Sequence, residues 1–490
     1  MSKKKTIIVV ALIVLLAAAV VLTACNSYKW DSIGAGDSGA AVMSNGGYYV
    51  EQGRYAYFIN GYVGDGADNT WGSPYKQSIM RAELNADGTV NNATAKVVVP
   101  KSIYNSSASG GFAVYGDWIY YATPNNDEDS TGTPSTTHTD FMRTKTDGSV
   151  TQLIGTINSR SSNYLFTPTR VLFSTDSNAT VYYFDFSGMK TNKSSDNRKG
   201  VTEGVLIENA SSLVWGYDLD RAANAGSQVS DYIFYTEKLT GDNDSYEFYN
   251  KLCCVRYDGS DRRVLLDNTS FLGEGEDYLV TPQKVFNFSL QKLFYESDGE
   301  VTLYYTKSIE VNGASSSQGL YYNTFTLDGG LTAAGEKKLS SRDLTTFYPL
   351  GEEQGVLAQI DSKYYLVNGT GENKLALGAS SATVQAVAGG YIYYTASNAL
   401  YRISLDGAAT SGSPNAECLI AGGIKTDWLS LEFVSDADAT VMFWFDTENY
   451  NYLSYAVLTA YDGEKLEPVM IGAMTDEDKA AKEEAEKEEE

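Results

Sequence analysis

The sequence predicts an all-β chain: a single β-propeller of seven or eight four-stranded blades, preceded by a lipoprotein signal peptide. Three observations carry that expectation. The 490 residues include 37 Tyr, 18 Phe, 6 Trp and 45 Gly, with 43% hydrophobic and 20% charged, a composition that favours strands and turns in a globular chain. One strand–turn unit recurs eight times, with a basal period of roughly 40 residues and loop insertions. No long helical periodicity or βαβ alternation interrupts the series, which argues against a second, catalytic domain.

Residues 1–24 read as an export leader. Lys3, Lys4 and Lys5 make a positive start, and Ile7 to Leu22 is apolar without interruption. The leader runs into Leu22-Thr23-Ala24-Cys25, which resembles the bacterial lipobox, where a small residue precedes a Cys whose thiol is joined to diacylglycerol. Two or three acyl chains on Cys25 would hold the protein stably on a membrane, since one chain alone is marginal. Residues 25–43 are then the lipidated Cys and a flexible tether, with Gly34, Gly36, Ser38 and Gly39 among few apolar residues. Gly34-Ala35-Gly36-Asp37-Ser38-Gly39 fits a GxGxxG and a Gly-Asp-Ser-Gly pattern at once. The first needs a preceding strand and a following helix, the second a His and an Asp within a folded domain, so the tether reading stands.

Residues 44–473 hold the repeats. The cleanest copy is Tyr391-Ile392-Tyr393-Tyr394-Thr395, then Leu400-Tyr401-Arg402-Ile403-Ser404-Leu405-Asp406-Gly407, then Cys418-Leu419-Ile420. Two more run from Trp118-Ile119-Tyr120-Tyr121 to Asp147-Gly148, with Arg143 between, and from Tyr232-Ile233-Phe234-Tyr235 to Asp258-Gly259, with Arg256 between. Looser copies join Tyr55 to Phe58 with Asp87-Gly88, Lys292 to Tyr295 with Asp328-Gly329, and Val441 to Trp444 with Asp462-Gly463. Compact copies pair Val171 to Phe173 with Ser187-Gly188, and Gly355 to Leu357 with Asn368-Gly369. Asp-Gly supplies the positive φ of a tight hairpin turn. A lone four-stranded blade cannot bury both faces, so blades stack radially and the ring closes on itself.

The Tyr393-Tyr394-Thr395-Ala396 stretch, followed by Arg402 and Leu405-Asp406-Gly407, resembles the repeat of low-density-lipoprotein-receptor-type propellers, whose motif is Tyr-Trp-Thr-Asp with a later Arg and Leu-Asp-Gly. It is still more similar to propeller domains of bacterial surface lipoproteins, an uncharacterised family in which Tyr commonly replaces the Trp. The resemblance spans about Gly46 to Gly472 and implies a fold. Ala396 and Glu237 stand where the receptor repeat has Asp, so contacts made by that Asp do not carry over. For the bacterial group no chemistry is implied.

Several functions are disfavoured. A formal charge of −25 opposes nucleic-acid binding, which needs a basic surface. The one His, His138, sits in a Ser/Thr-rich stretch read as an exposed loop, which leaves a Ser-His-Asp relay and His-based zinc hydrolysis without a basis. Cys253 and Cys254 are neighbours on an expected strand, pointing to opposite faces, and a bridge from either to Cys418 is not expected. Acidic loops at Asp65 to Asp68, Asp127-Glu128-Asp129 and Asp242-Asn243-Asp244 lack calcium-loop spacing, so they read as solvated turns. No catalytic residue, cofactor or metal site is assigned. Residues 474–490, with nine acidic residues against three Lys, read as a solvated tail.

The expected protein is therefore extracytoplasmic and lipid-anchored to the cell membrane through Cys25. Its propeller would act as a non-catalytic binding or scaffolding module for an envelope protein, peptide or glycan, with Tyr-rich blade edges, Trp71 and Trp118 as candidate contact surface. The alternative is an extracellular hydrolase or lyase acting on wall polymers through carboxylates in the propeller mouth. The sequence carries no signal for an oligomeric state.

Overall fold

The computed structural model describes residues 34–37, 42–43, 49–59, 78–103, 111–125, 138–159, 163–174, 180–194, 198–215, 232–240, 247–267, 285–296, 300–311, 314–326, 335–410, 415–424, 431–434, 441–446, 452–461 and 463–471, some positions within these ranges excepted. They form a β-propeller with seven four-stranded antiparallel blades and an eighth sheet that has gained a fifth strand. In chain order, blade 1 is Tyr49–Gln52, Tyr55–Ile59, Ile79–Leu84 and Val90–Val99. Blade 2 is Phe112–Tyr115, Trp118–Asn125, His138–Lys145 and Thr151–Ile157, with Val42–Met43 as its extra strand. Blade 3 is Asn163–Phe166, Arg170–Ser174, Val181–Asp185 and Thr202–Ile207; blade 4 is Ala210–Trp215, Tyr232–Thr240, Glu247–Arg256 and Arg263–Asp267. Blade 5 is Val285–Tyr295, Val301–Val311, Ala314–Phe325 and Lys337–Ser340; blade 6 is Phe347–Pro349, Val356–Ile360, Lys363–Asn368 and Gly371–Lys374. Blade 7 is Thr383–Ala388, Tyr391–Ala396, Ala399–Ser404 and Glu417–Ile420; blade 8 is Glu432–Val434, Val441–Asp446, Tyr452–Val457 and Val469–Met470.

Each sequence unit maps onto one sheet. Where Asp-Gly ends a third strand, glycine takes the φ that other residues avoid, +71° at Gly148 and +87° at Gly259. The preceding carboxylate fixes the turn, since Asp147 Oδ1 accepts the Ser149 N–H at 2.9 Å and Asp258 Oδ1 that of Ser260 at 2.8 Å. The structure departs from the expected units at two places. Lys292 to Tyr295 close the first strand of blade 5, not the second; the true equivalent of Tyr393-Tyr394-Thr395 is Tyr304-Tyr305-Thr306. Asp406-Gly407 lies inside a short helix, Leu405–Thr410, where the Ser404 hydroxyl accepts the Gly407 N–H at 3.0 Å and helical hydrogen bonding displaces the hairpin turn.

The core lies between blades. Six clusters of buried side chains bridge neighbouring sheets all the way round, including one that joins blade 8 to blades 1 and 2. At that seam the Tyr49 and Phe443 rings stack with centroids 3.9 Å apart. Among the described residues blade 1 contains only N-terminal strands and blade 8 only C-terminal ones, so side-chain packing, not a shared sheet, closes the ring.

Tyrosine is spent inside this core. Tyr57, Tyr121, Tyr232, Tyr235, Tyr304 and Tyr393 are among the largest fully buried side chains. Phenol hydroxyls also link blades: Tyr164 donates to the Gly111 carbonyl and Tyr348 to that of Val384, each at 2.8 Å. The recurrent arginine stacks diagonally across its strand pair, with Arg81 over Tyr55 at 4.2 Å, Arg143 over Trp118 at 4.3 Å and Arg402 over Tyr391 at 4.5 Å. These described tyrosines are therefore core and not the flat contact surface expected of them, and Trp118 is a buried member of this stacking.

Part of the expected tether is docked. Gly34–Asp37 lie against blades 1 and 2, where the Tyr55 and Arg81 side chains donate to the Ala35 and Gly34 carbonyls, the Arg54 backbone N–H donates to the Asp37 carboxylate, and Gly36 permits close approach.

Candidate functional site

At the end of the ring carrying the first-to-second and third-to-fourth turns, blades 5 and 6 form an open cleft of about 770 Å³. It is lined by Glu296 and Glu300, which flank the first turn of blade 5, by Tyr322 and Lys337 from its outer strands, and by the Leu350–Gln354 turn of blade 6. Gly351 shapes that turn with φ +96°, and an added Cβ would sit 3.1 Å from a Glu296 carboxylate oxygen.

Glu296 Oε1 accepts the Thr302 hydroxyl at 2.6 Å and the Glu352 backbone N–H at 2.8 Å, so this carboxylate joins the two blades. Lys337 pairs with Glu352. That contact holds the Glu352 carboxyl below its ordinary range and the Lys337 ammonium above its own, keeping both charged. Burial first, and then the Glu296 charge, raises the phenol of Tyr304 beneath the cleft, so it stays protonated. Four carboxylates face one lysine, which makes the cleft anionic and suited to a cationic or hydroxyl-bearing group. Among the described residues no group of three or more His, Cys, Asp or Glu is placed to hold a metal ion.

The positions singled out in the sequence do not assemble here. Cys25, Trp71, the three acidic loops at 65–68, 127–129 and 242–244, and the tail lie outside the described residues. His138 opens the third strand of blade 2, half-buried and paired opposite Asn125, instead of lying in a loop. Cys253 and Cys254 do point to opposite faces, Cys253 into the core shared with blade 3 and Cys254 into that shared with blade 5. Burial pushes each thiol up to about 12, and Cys418 is also free. The cleft residues were missed because Glu-Ser-Asp-Gly-Glu at 296–300 and Gly-Glu-Glu-Gln-Gly at 351–355 come from two successive units, one of which was misaligned. Correct alignment would have shown two acidic turns at equivalent positions of adjacent blades.

No known protein family matches the chain, and no curated protein matches it. Among solved structures, the computationally designed Ika8 protein shares 8% identity at a TM-score of 0.37, covering 87% of this chain and 98% of the other. The periplasmic gluconolactonase of Pseudomonas aeruginosa shares 12% at 0.33, covering 86% and 98%. A polysaccharide lyase described as an ulvan lyase shares 8% at 0.35, covering 91% and 97%. Likenesses this distant say nothing about what this chain binds or transforms.

Proposed function

We propose that this protein is an extracytoplasmic lipoprotein, anchored to the cell membrane through Cys25, whose propeller is a non-catalytic binding or scaffolding module for an envelope protein, peptide or glycan. The observation that supports binding most directly is the state of two of the four carboxylates between blades 5 and 6. Glu352 is held ionised by Lys337, and Glu296 is occupied by two hydrogen bonds. Groups fixed this way offer a stable anionic surface. A hydrolase working through an acid–base carboxyl pair would need one carboxyl kept protonated beside a second free to act as base, and a lysine-paired, ionised Glu352 does not supply the first. The test is titration of the purified ectodomain with wall-glycan fragments and with a lysine-bearing wall peptide, alongside cross-linking in intact cells. Saturable binding without turnover, weakened about tenfold or more by Glu352→Gln, supports the reading. Turnover of either probe, abolished by Glu296→Gln or Glu352→Gln, would replace it with the hydrolase or lyase.

A further inference from the structure

The docked N-terminal segment has a direction. Arg81 donates one guanidinium N–H to the Gly34 carbonyl at 2.9 Å and another to the Thr146 carbonyl at 2.8 Å, tying the segment to the third-to-fourth turn of blade 2. Tyr55 donates to the Ala35 carbonyl at 3.4 Å, and Asp37 Oδ2 accepts the Arg54 N–H at 3.1 Å, in the first-to-second turn of blade 1. Gly36 is packed so closely that a Cβ would fall 2.5 Å from Thr146 Oγ1. The chain then moves inward, and Val42 and Met43 pair with Val114 and Ala113 on the innermost strand of blade 2. Both turns touched by the segment are at one end of the ring, because in an antiparallel blade the first-to-second and third-to-fourth turns share an end.

Resting on lipidation of Cys25, we propose that this end of the propeller faces the membrane and that the second-to-third hairpins point away from it. Gly34 is the ninth residue after Cys25. Nine residues span at most about 30 Å in any conformation. A blade of five- or six-residue strands is about 17–20 Å deep before its turns are added. To present the opposite end to the lipid, the nine residues would have to pass outward beyond the fourth strand and then along that whole depth. Their reach would be exhausted before the acylated Cys entered the bilayer. With the docked end turned inward the same nine residues have slack. The cleft between blades 5 and 6 is built from turns at this same end, half a ring from the anchor, so its ligand is approached from the membrane side. The long second-to-third hairpin of blade 5, Val301–Val311 with Ala314–Phe325, projects outward.

The test uses full-length acylated protein in phosphatidylethanolamine–phosphatidylglycerol vesicles carrying a headgroup-labelled acceptor dye. Donors are placed singly, in a Cys418→Ser background, at Ser149→Cys and Gly369→Cys on the docked end and at Ser316→Cys and Lys363→Cys on the other; all four positions are exposed. Energy transfer at least twofold greater from both docked-end positions is the expected result. In Gly36→Val the new side chain meets Thr146, the segment lifts, and the difference falls toward unity. Acylated protein with equal or reversed transfer, or a Gly36→Val variant that keeps the full difference, would overturn the proposed orientation alone. Protein that carries no acyl group and ignores the vesicles would overturn the lipoprotein reading and this one with it.

Discussion

Phe443→Ala tests how the ring is closed. Phe443 is 3% exposed, stacks on Tyr49 of blade 1 and packs against Tyr455 of its own blade. Truncating a buried Phe to Ala costs about 3–5 kcal/mol in lost burial and cavity. At about 1.4 kcal/mol per tenfold, that is a factor of between a hundred and several thousand in the equilibrium for opening. Among the described residues no backbone ladder crosses this junction, so the loss falls on the seam, and blades 1 and 8 should separate before the rest of the ring unfolds. The assay is urea titration together with hydrogen exchange read over Tyr49–Ile59 and Val441–Val457. Phe173→Ala is the control, because Phe173 is equally buried in an aromatic cluster but lies in blade 3. Phe443→Ala should speed exchange most in blades 1 and 8, and Phe173→Ala should not single them out. A cost below about 1 kcal/mol, or an exchange effect no larger at the seam than in blade 4, would refute closure by side-chain packing.

Three further outcomes are expected. Burial holds the Cys253 and Cys254 thiols up at about 12, so alkylation at pH 8 should spare both until the protein unfolds while half-buried Cys418 reacts; peptide mass mapping reads the order. Lys307 and Glu336 form a buried ion pair, at 7% and 9% exposure, with Tyr305 donating to the second Glu336 oxygen at 2.8 Å. Lys307→Met leaves that carboxylate without its counter-charge and should cost about 3–5 kcal/mol in a denaturant titration, whereas a cost under about 1 kcal/mol would mean that water reaches the pair. Hydrogen bonds from Arg263 and then Tyr232 hold Asp261 at about 2 against an ordinary 3.8. A carboxyl depressed by folding contributes above its unfolded value and loses that contribution as pH falls through the folded one, so stability should decline between about pH 4 and pH 2. Asp261→Asn should flatten that decline in fluorescence-monitored unfolding.

The blades were legible because each unit repeats its own local chemistry. Tyr120, Tyr235 and Tyr393 mark second strands, and Asp147-Gly148 and Asp258-Gly259 mark tight turns whose φ demands glycine. Blade 5 misled because its first strand also ends in an aromatic pair, Phe294-Tyr295, and strand length there is set by cross-strand pairing, which is not local. The anionic cleft was hidden for a related reason: Glu296 and Glu352 are 56 residues apart and meet only across a blade junction. Glycine is also ambiguous in sequence. Gly36 reads as tether, yet its missing side chain lets the backbone approach Thr146. Tyrosine is ambiguous in the same way, since a ring with a polar tip suits an exposed contact surface and a buried blade junction equally well.

The central claim, a propeller held at a membrane by its own N-terminus, is tested most directly by the mass of the mature N-terminal peptide from protein made in bacterial cells. The account predicts a chain beginning at Cys25, heavier than its amino acids by a diacylglyceryl group with or without a further acyl chain, and loss of that mass and of membrane association in Cys25→Ala. A chain that still begins at Met1, or one that begins elsewhere with Cys25 unmodified, would contradict it.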